Sequence, residues 1–237
     1  MIEKLGIAII THHCLPDLQA AVESIVARTT PPYDLVVWDN SEDWRTGEWA
    51  SLCERMTYIR SPYNVGCCVS RNALATLMLK RGISHWVVMD QDVTITAPGW
   101  AEDMLAVFAQ YPDTGIVAWK CIADQLQAHY DMDATGATPQ VPGACCMVSG
   151  ACVRAVGGWY PGALFNRLED SDFCFQAGLK GFKTRLVLGE QRIAHTHPGS
   201  GMARHPRANQ VGALSDAIFQ QRAHAFGYPL VSGVTAP

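Results

Sequence analysis

Four short, largely apolar runs, "LGIAIIT" (5–11), "YDLVVWDNS" (33–41), "MTYIRS" (56–61) and "SHWVVMDQDVTI" (84–95), recur through the first half of the chain with helix-sized intervals between them. This alternation constrains the fold more than any other feature. Strands apolar on both faces must be covered on both faces, and parallel neighbours need a crossover of about a dozen residues or more, usually a helix. The pattern predicts an α/β protein with a Rossmann-like, mostly parallel central sheet flanked by helices. Ligands of such sheets lie in the crevice at the carboxyl ends of the strands. Asp39, Asp90 and Asp92 all fall at those ends.

The intervals carry helix signals. Pro16 opens "LPDLQAAVESIVART", where Leu18, Val22, Ile25 and Val26 share a face. A short helix is expected within Trp44–Arg55, and "NVGCCVSRNALATLMLKRG" reads as a loop entering a helix that Gly82 closes. "SHWVVMDQDVTI" reads as one strand, followed by a helix in "PGWAEDMLAVFAQYP". The second half is less regular. "TGIVAWKCI" and "GACCMVSG" predict strands on either side of the polar excursion "ADQLQAHYDMDATGATPQVP". "EDSDFCFQAGLKG" predicts a helix with an acidic first turn and Gly181 at its end, and Gly157 and Gly158 a turn before Trp159. "KTRLVL" and "RIAHTH" predict further strands, "PGSGMARHPR" a loop, and "NQVGALSDAIFQQRAHAFG" a helix capped by Asn209. We read residues 1–237 as one domain, divided into 1–112, 113–200 and 201–237.

Composition narrows the class. Of 237 residues, 49% are hydrophobic and 17% charged, which suits an ordered domain and excludes a disordered one. There is no apolar run of about 18 residues and no cleavage site after the short apolar N-terminal segment, so a soluble, unprocessed, cytoplasmic protein is expected. Nine cysteines, with Cys67/Cys68 and Cys145/Cys146 adjacent and no Cys-x-x-Cys, read as small buried residues in a reducing compartment. The net charge is −4, yet Lys180, Lys183, Arg185, Arg192, Arg204, Arg207 and Arg222 are opposed only by Glu190 and Asp216 after residue 179. That excess is a pointer to a phosphate-bearing ligand or a polyanion, with a solvated basic face as the plainer explanation.

Asp90 and Asp92, one residue apart at a strand end, repel each other unless a divalent cation neutralises them. Hard oxygen ligands suit Mg²⁺ or Mn²⁺. Because such ions are usually shared between carboxylates and substrate phosphates, a nucleotide diphosphate is the implied ligand.

Six segments, "IAIITHH", "VVWDNSED", "NVGCCVSRNAL", "VVMDQDV", "VGGWYPGALFNRLEDSDFCFQAGLKGF" and "RIAHTHPGS", together resemble the family 2 glycosyltransferases in order and spacing, from Leu5 to about Ser200. The resemblance implies a GT-A fold and inverting transfer from a nucleotide-diphosphate sugar. It places Thr11 and Asp39 beside the base and ribose, Arg71 and Gln91 in the donor pocket, and Asp90 against the ribose or donor sugar. Asp92 and His195 become metal ligands, with His197 as the alternative to His195. Asp170 becomes the general base, chosen over its neighbour Glu169. Apart from the resemblance, the Gly and basic residues of the loop "HPGSGMARHPR" suit a closing element over the donor.

Each residue also has a plainer role. Asp39 can cap a turn, Arg71 can be a buried ion-pair partner, and Glu169, Asp170 and Asp172 can serve as an acidic first helical turn. "THH" departs from the proline and aromatic that family members often carry there. Neither the Gln-x-x-Arg-Trp signature of processive members nor a transmembrane run is present, so single-sugar transfer is expected. The acceptor is expected to be a saccharide or glycolipid, with a nucleic acid as the minority reading. A nucleotidyltransferase should carry a Gly-rich basic loop after the first strand, and an oxidoreductase a Gly-x-Gly-x-x-Gly; neither is found. A non-catalytic sugar- or nucleotide-binding relative is opposed by Asp90, Asp92, Glu169 and Asp170 standing together.

Overall fold

Successive residues of a strand face opposite ways, and here both faces are apolar. On β1 (Leu5–Thr11), Ile7 and Ile9 enter one core and Ala8 the other; on β4 (His85–Asp90), Val87 and Met89 oppose Trp86 and Val88. The first core is closed by α1 (Leu15–Arg28) and α4 (Trp100–Gln110) through Leu18, Val22, Ile25, Trp100 and Met104. The second is closed by α3 (Cys67–Lys80), α5 (Gly150–Val156) and α6 (Glu169–Leu179) through Leu74, Met78, Val153, Phe173 and Ala177. Burying such a side chain fully contributes about 1.5–3 kcal/mol, so the sheet is held from both sides. The structure, a computed structural model, describes residues 4–42, 44–119, 132–162, 168–196 and 208–228.

Among the described residues the main sheet has eight strands in the order β3 (Met56–Arg60), β2 (Tyr33–Asp39), β1, β4, β8 (Cys145–Ser149), β6 (Thr114–Ala118), β9 (Lys183–Leu186) and β7 (Ala137–Thr138). β3, β2, β1 and β4 are mutually parallel, and so are β6 and β9. β8 runs antiparallel between β4 and β6, and β7 antiparallel beside β9. The result is the mostly parallel, helix-flanked sheet that the alternation of runs predicts.

The differences are local. "SHWVVMDQDVTI" is two strands: the chain turns at Gln91–Asp92, and β5 (Val93–Ile95) leaves the main sheet to pair antiparallel with β10 (Ile193–His195). α5 was not expected; it starts on the Ser149 cap, whose hydroxyl accepts from Cys152 N at 3.2 Å. The expected short helix is α2 (Arg45–Ala50), and Asn209, expected to cap the C-terminal helix, lies inside α7 (Ala208–Phe226). Gly82 and Gly181 follow their helices with φ of +71° and +85°, as read from sequence. Eight described cysteines are free thiols, six of them buried. Among the described residues no helix is long and apolar enough to cross a membrane. His197 and the loop "HPGSGMARHPR" lie outside the described residues.

Candidate active site

The exit of β5 from the main sheet builds the centre of the site. Pairing of β5 with β10 sets His195 opposite Val93, and Thr196 N donates to the Asp92 carbonyl at 2.9 Å. His195 Nε2 thereby stands 3.2 Å from Asp92 Oδ1. One ligand atom from each of Asp90, Asp92 and His195 lies within 4.8 Å of the others. Residues 103 positions apart in sequence thus converge because a three-residue strand changes partners. Burial pushes the Asp90 carboxyl up to about 7; the charge of Asp92 adds to the rise, while Arg71 and His195 oppose it. Two crowded carboxylates and an imidazole are a donor set that could hold a divalent cation.

Gln91, between the two aspartates, points the other way. Its Oε1 accepts from the Thr11 hydroxyl and from His12 N, the latter at 2.8 Å, and its Nε2 donates to the His12 carbonyl at 3.2 Å. The side chain pins the end of β1 to the turn after β4. Thr11 is buried while His12 and His13 are exposed, so the open edge here is made by the two histidines.

Asp39 is fully buried at the end of β2. Its Oδ1 accepts from Ser41 N at 2.7 Å and its Oδ2 from the Tyr58 hydroxyl at 2.6 Å. The turn-capping role is therefore filled, and a nucleoside contact would have to use a remaining lone pair. Asn40 continues the brace: its Nδ2 donates to Ser70 Oγ at 3.0 Å and fixes the first turn of α3.

Arg71, expected to shape the nucleotide pocket, is buried, with 2% of its surface exposed. Its Nη1 donates to Glu169 Oε1 at 2.8 Å and its Nη2 lies 3.8 Å from Asp90 Oδ1. It is the buried ion-pair partner, and it links the aspartate cluster to the start of α6. Burial pushes the Glu169 carboxyl above its ordinary value and Arg71 pulls it back down. The two acids of "ED" have different surroundings. Glu169 is buried in the ion pair, whereas Asp170 is half-buried, with Oδ2 accepting from Gly143 N at 2.9 Å and Oδ1 from Ser171 N at 2.8 Å.

Two elements of this arrangement were missed in the sequence. A Cβ on Gly143 would lie 2.9 Å from Asp170 Cβ, so only glycine lets the backbone reach the carboxylate. Asn72 brackets Trp159, accepting from its N at 2.8 Å and donating to its carbonyl at 2.7 Å, while the Trp159 ring stacks on Phe173 of α6 at 4.2 Å. Gly157 and Gly158, with φ of +90° and +96°, form the turn expected before Trp159. A glycine in "VPGACC" and an asparagine beside an arginine carry no local mark of such long-range contacts.

Comparison with known proteins follows this geometry. No curated protein matches the chain by sequence. Among solved structures, a mannosyltransferase from Pyrobaculum calidifontis in complex with GDP-Man and Mn²⁺ superposes with a TM-score of 0.70 at 16% identity, covering 92% of this chain and 64% of that one. Staphylococcus aureus TarS gives 0.66 at 13% identity, covering 94% and 44%, and GalNAc-T7 with UDP, GalNAc and Mn²⁺ gives 0.64 at 14%, covering 96% and 52%. The chain spans less than two thirds of each of these proteins, and the likeness is one of fold. Residues 6–133, more than half of the chain and including Asp39, Arg71, Asp90 and Asp92, match the family described as glycosyl transferase family 2. With its GT-A sheet and the aspartates at the strand ends, the chain belongs to glycosyl transferase family 2.

Proposed function

We propose that the enzyme moves a single sugar from a nucleotide-diphosphate sugar to an acceptor hydroxyl, with inversion at the anomeric carbon and with Asp170 as general base. The observation that carries this reading is the pairing of two unlike acidic centres across Arg71. On one side Asp90, Asp92 and His195 converge within 4.8 Å; on the other, Asp170 is the accessible carboxylate of the pair it forms with buried Glu169. Asp90, Asp92 and His195 would hold Mn²⁺ or Mg²⁺, which when bound supplies Lewis-acid stabilisation of the charge left on the diphosphate. Three neighbours in the solved structures are described with nucleotides or nucleotide sugars, GDP-Man, UDP or UDP-GlcNAc, and two with Mn²⁺, which supports a donor of that class here.

In the transfer step the acceptor oxygen attacks the anomeric carbon from the face opposite the diphosphate. The bond to the diphosphate oxygen breaks with its electrons, and the acceptor proton passes to Asp170. Gly143 N and Ser171 N orient that carboxylate, and a well-placed base contributes about 10²–10⁴-fold in rate. Residues 1–112 would supply most of the donor side and residues 113–200 the base, with Arg71 joining them.

A saccharide or glycolipid acceptor is favoured over nucleic acid by the fate of the basic residues. Lys183 and Arg185 pair with Asp113 at 3.7 and 3.0 Å, Arg192 with Asp103 at 2.8 Å, and Arg222 with Asp172 at 2.7 Å. Three carboxylates thus engage four of the seven cations, Arg204 and Arg207 lying outside the described residues, and cations paired within the chain have less to offer a polyphosphate backbone.

The test is thermal stabilisation by UDP, GDP, CDP and dTDP, each with Mn²⁺ and with EDTA, on the wild type and Asp92→Asn. A shift that needs both metal and Asp92, for one nucleotide, is expected. A shift unaffected by EDTA and by the substitution would remove the metal site from the proposal.

A further inference from the structure

The helical turn that carries Asp170 starts from a backbone conformation that does not maintain itself. Leu168, immediately ahead of α6, has φ +61°, a left-handed geometry disfavoured for leucine and held only where the surroundings impose it. Those surroundings come from α7 and the residues just after it. Leu168 packs against Phe219 and Ala223 of α7, Tyr228, and Phe175 of α6.

A polar tether lies beside this contact. Arg222 donates from Nε and Nη2 to the two oxygens of Asp172, at 2.7 and 3.0 Å. The Tyr228 hydroxyl donates to Asp172 Oδ1 at 2.6 Å and accepts from Gln176 Nε2 at 2.6 Å. The Arg222 guanidinium also lies 3.9 Å from the centre of the Tyr160 ring and 5.1 Å from that of Phe226. A planar fork meeting a carboxylate through two bonds fixes direction as well as distance. One side chain of α7 therefore ties together the first turn of α6, the loop that follows α5, and α7 itself.

We propose that α7 frames the catalytic turn, with Arg222 acting through Asp172 as a positioning residue for the Asp170 carboxylate. This rests on the reading of Asp170 as the base. Asp172 is two residues from Asp170 on the same turn and 4% exposed, so displacement of one carries the other. The tether makes no hydrogen bond to Asp90, Asp92 or His195 among the described residues. Its loss therefore slows the chemical step and leaves donor binding in place.

The experiment uses the full chain with Arg222→Ala, Arg222→Lys and the milder Tyr228→Phe, and Asp170→Asn as reference. Nucleotide affinity is read from the Mn²⁺-dependent thermal shift with the nucleoside diphosphate that stabilises the wild type. Turnover is read as release of that diphosphate from its nucleotide sugar. Arg222→Ala is expected to keep nucleotide affinity within about twofold and to lose about 10–100-fold in kcat, with partial rescue in Arg222→Lys, which keeps the charge but not the fork. Hydrogen exchange should rise in peptides spanning 168–176 and stay unchanged in β1 and β4, for Arg222→Ala and more weakly for Tyr228→Phe. Wild-type kcat in a folded Arg222→Ala, unchanged exchange across 168–176, or a parallel fall of affinity and kcat overturns the proposal. If Asp170→Asn turns over like the wild type, the assignment of the base fails; if it is inactive and Arg222→Ala is not impaired, only the tether fails.

Discussion

Arg71→Ala removes one partner of an ion pair whose side chains are 3% and 6% exposed and whose N···O separation is 2.8 Å. Glu169 is then left buried beside Asp170 and near Asp90. If it stays ionised, the cost is that of an unpaired buried charge, about 3–5 kcal/mol. If it takes up a proton, the cost at pH 7 is at most about 3.7 kcal/mol, from a carboxyl whose ordinary value is about 4.3. The cheaper route sets the outcome, a loss of about 3–3.7 kcal/mol, or about 6–15 °C in Tm for a chain of this length. The sign with pH follows. Arg71 pulls the buried Glu169 carboxyl down, so its removal leaves burial to raise the folded-state value further above the unfolded one, and the variant loses more stability than the wild type as pH rises and recovers it toward about 4.3. The penalty should therefore shrink to about 1 kcal/mol at pH 5. Urea denaturation at pH 5 and pH 7 measures it as a change in midpoint at constant slope. Replacing both partners, as in Arg71→Met with Glu169→Leu, should recover most of the loss. A penalty below about 1 kcal/mol at pH 7, the size expected of an exposed pair, or one that does not change with pH, would refute the reasoning.

Other expectations follow from single contacts. Gly143→Ala puts a methyl group 2.9 Å from Asp170 Cβ, so the carboxylate must shift; kcat should fall about 10–100-fold while the nucleotide-dependent thermal shift is retained. Gly158→Ala combines φ +96° with a Cβ 2.4 Å from Asn72 Oδ1, and should cost about 2 kcal/mol or more in urea denaturation by breaking the bracket on Trp159. Gln91→Ala strands the buried Thr11 hydroxyl, and should cost about 1–3 kcal/mol by the same assay.

The parts of the fold legible in the sequence are those with a local cause. β1 spans the residues of its apolar run, and the helix ends at Gly82 and Gly181 follow from residues that take a left-handed backbone without strain. The Asp90–Asp92 pair was visible because two like charges at a strand end need an explanation. What escaped depends on partners distant in sequence. Nothing in "VMDQDVTI" says that the chain changes sheets at Asp92, because Val93 and Ile95 suit either pairing; the change is decided by β10, about 100 residues on. Arg71 was legible as important and ambiguous in role, since a buried ion pair and a pocket-lining arginine look alike until Glu169 is placed. The tether from Arg222 to Asp172 spans 50 residues and leaves no spacing signal at all.

The metal centre proposed at Asp90, Asp92 and His195 is tested most directly by pulsed electron paramagnetic resonance of Mn²⁺ bound to the full chain with the stabilising nucleoside diphosphate. A ¹⁴N coupling from a directly bound imidazole together with ³¹P couplings from the diphosphate is expected. The nitrogen signal should vanish in His195→Gln, and Mn²⁺ itself should be lost in Asp92→Asn. Nucleotide-dependent Mn²⁺ binding with no nitrogen coupling, or with coupling that survives His195→Gln, would contradict the site.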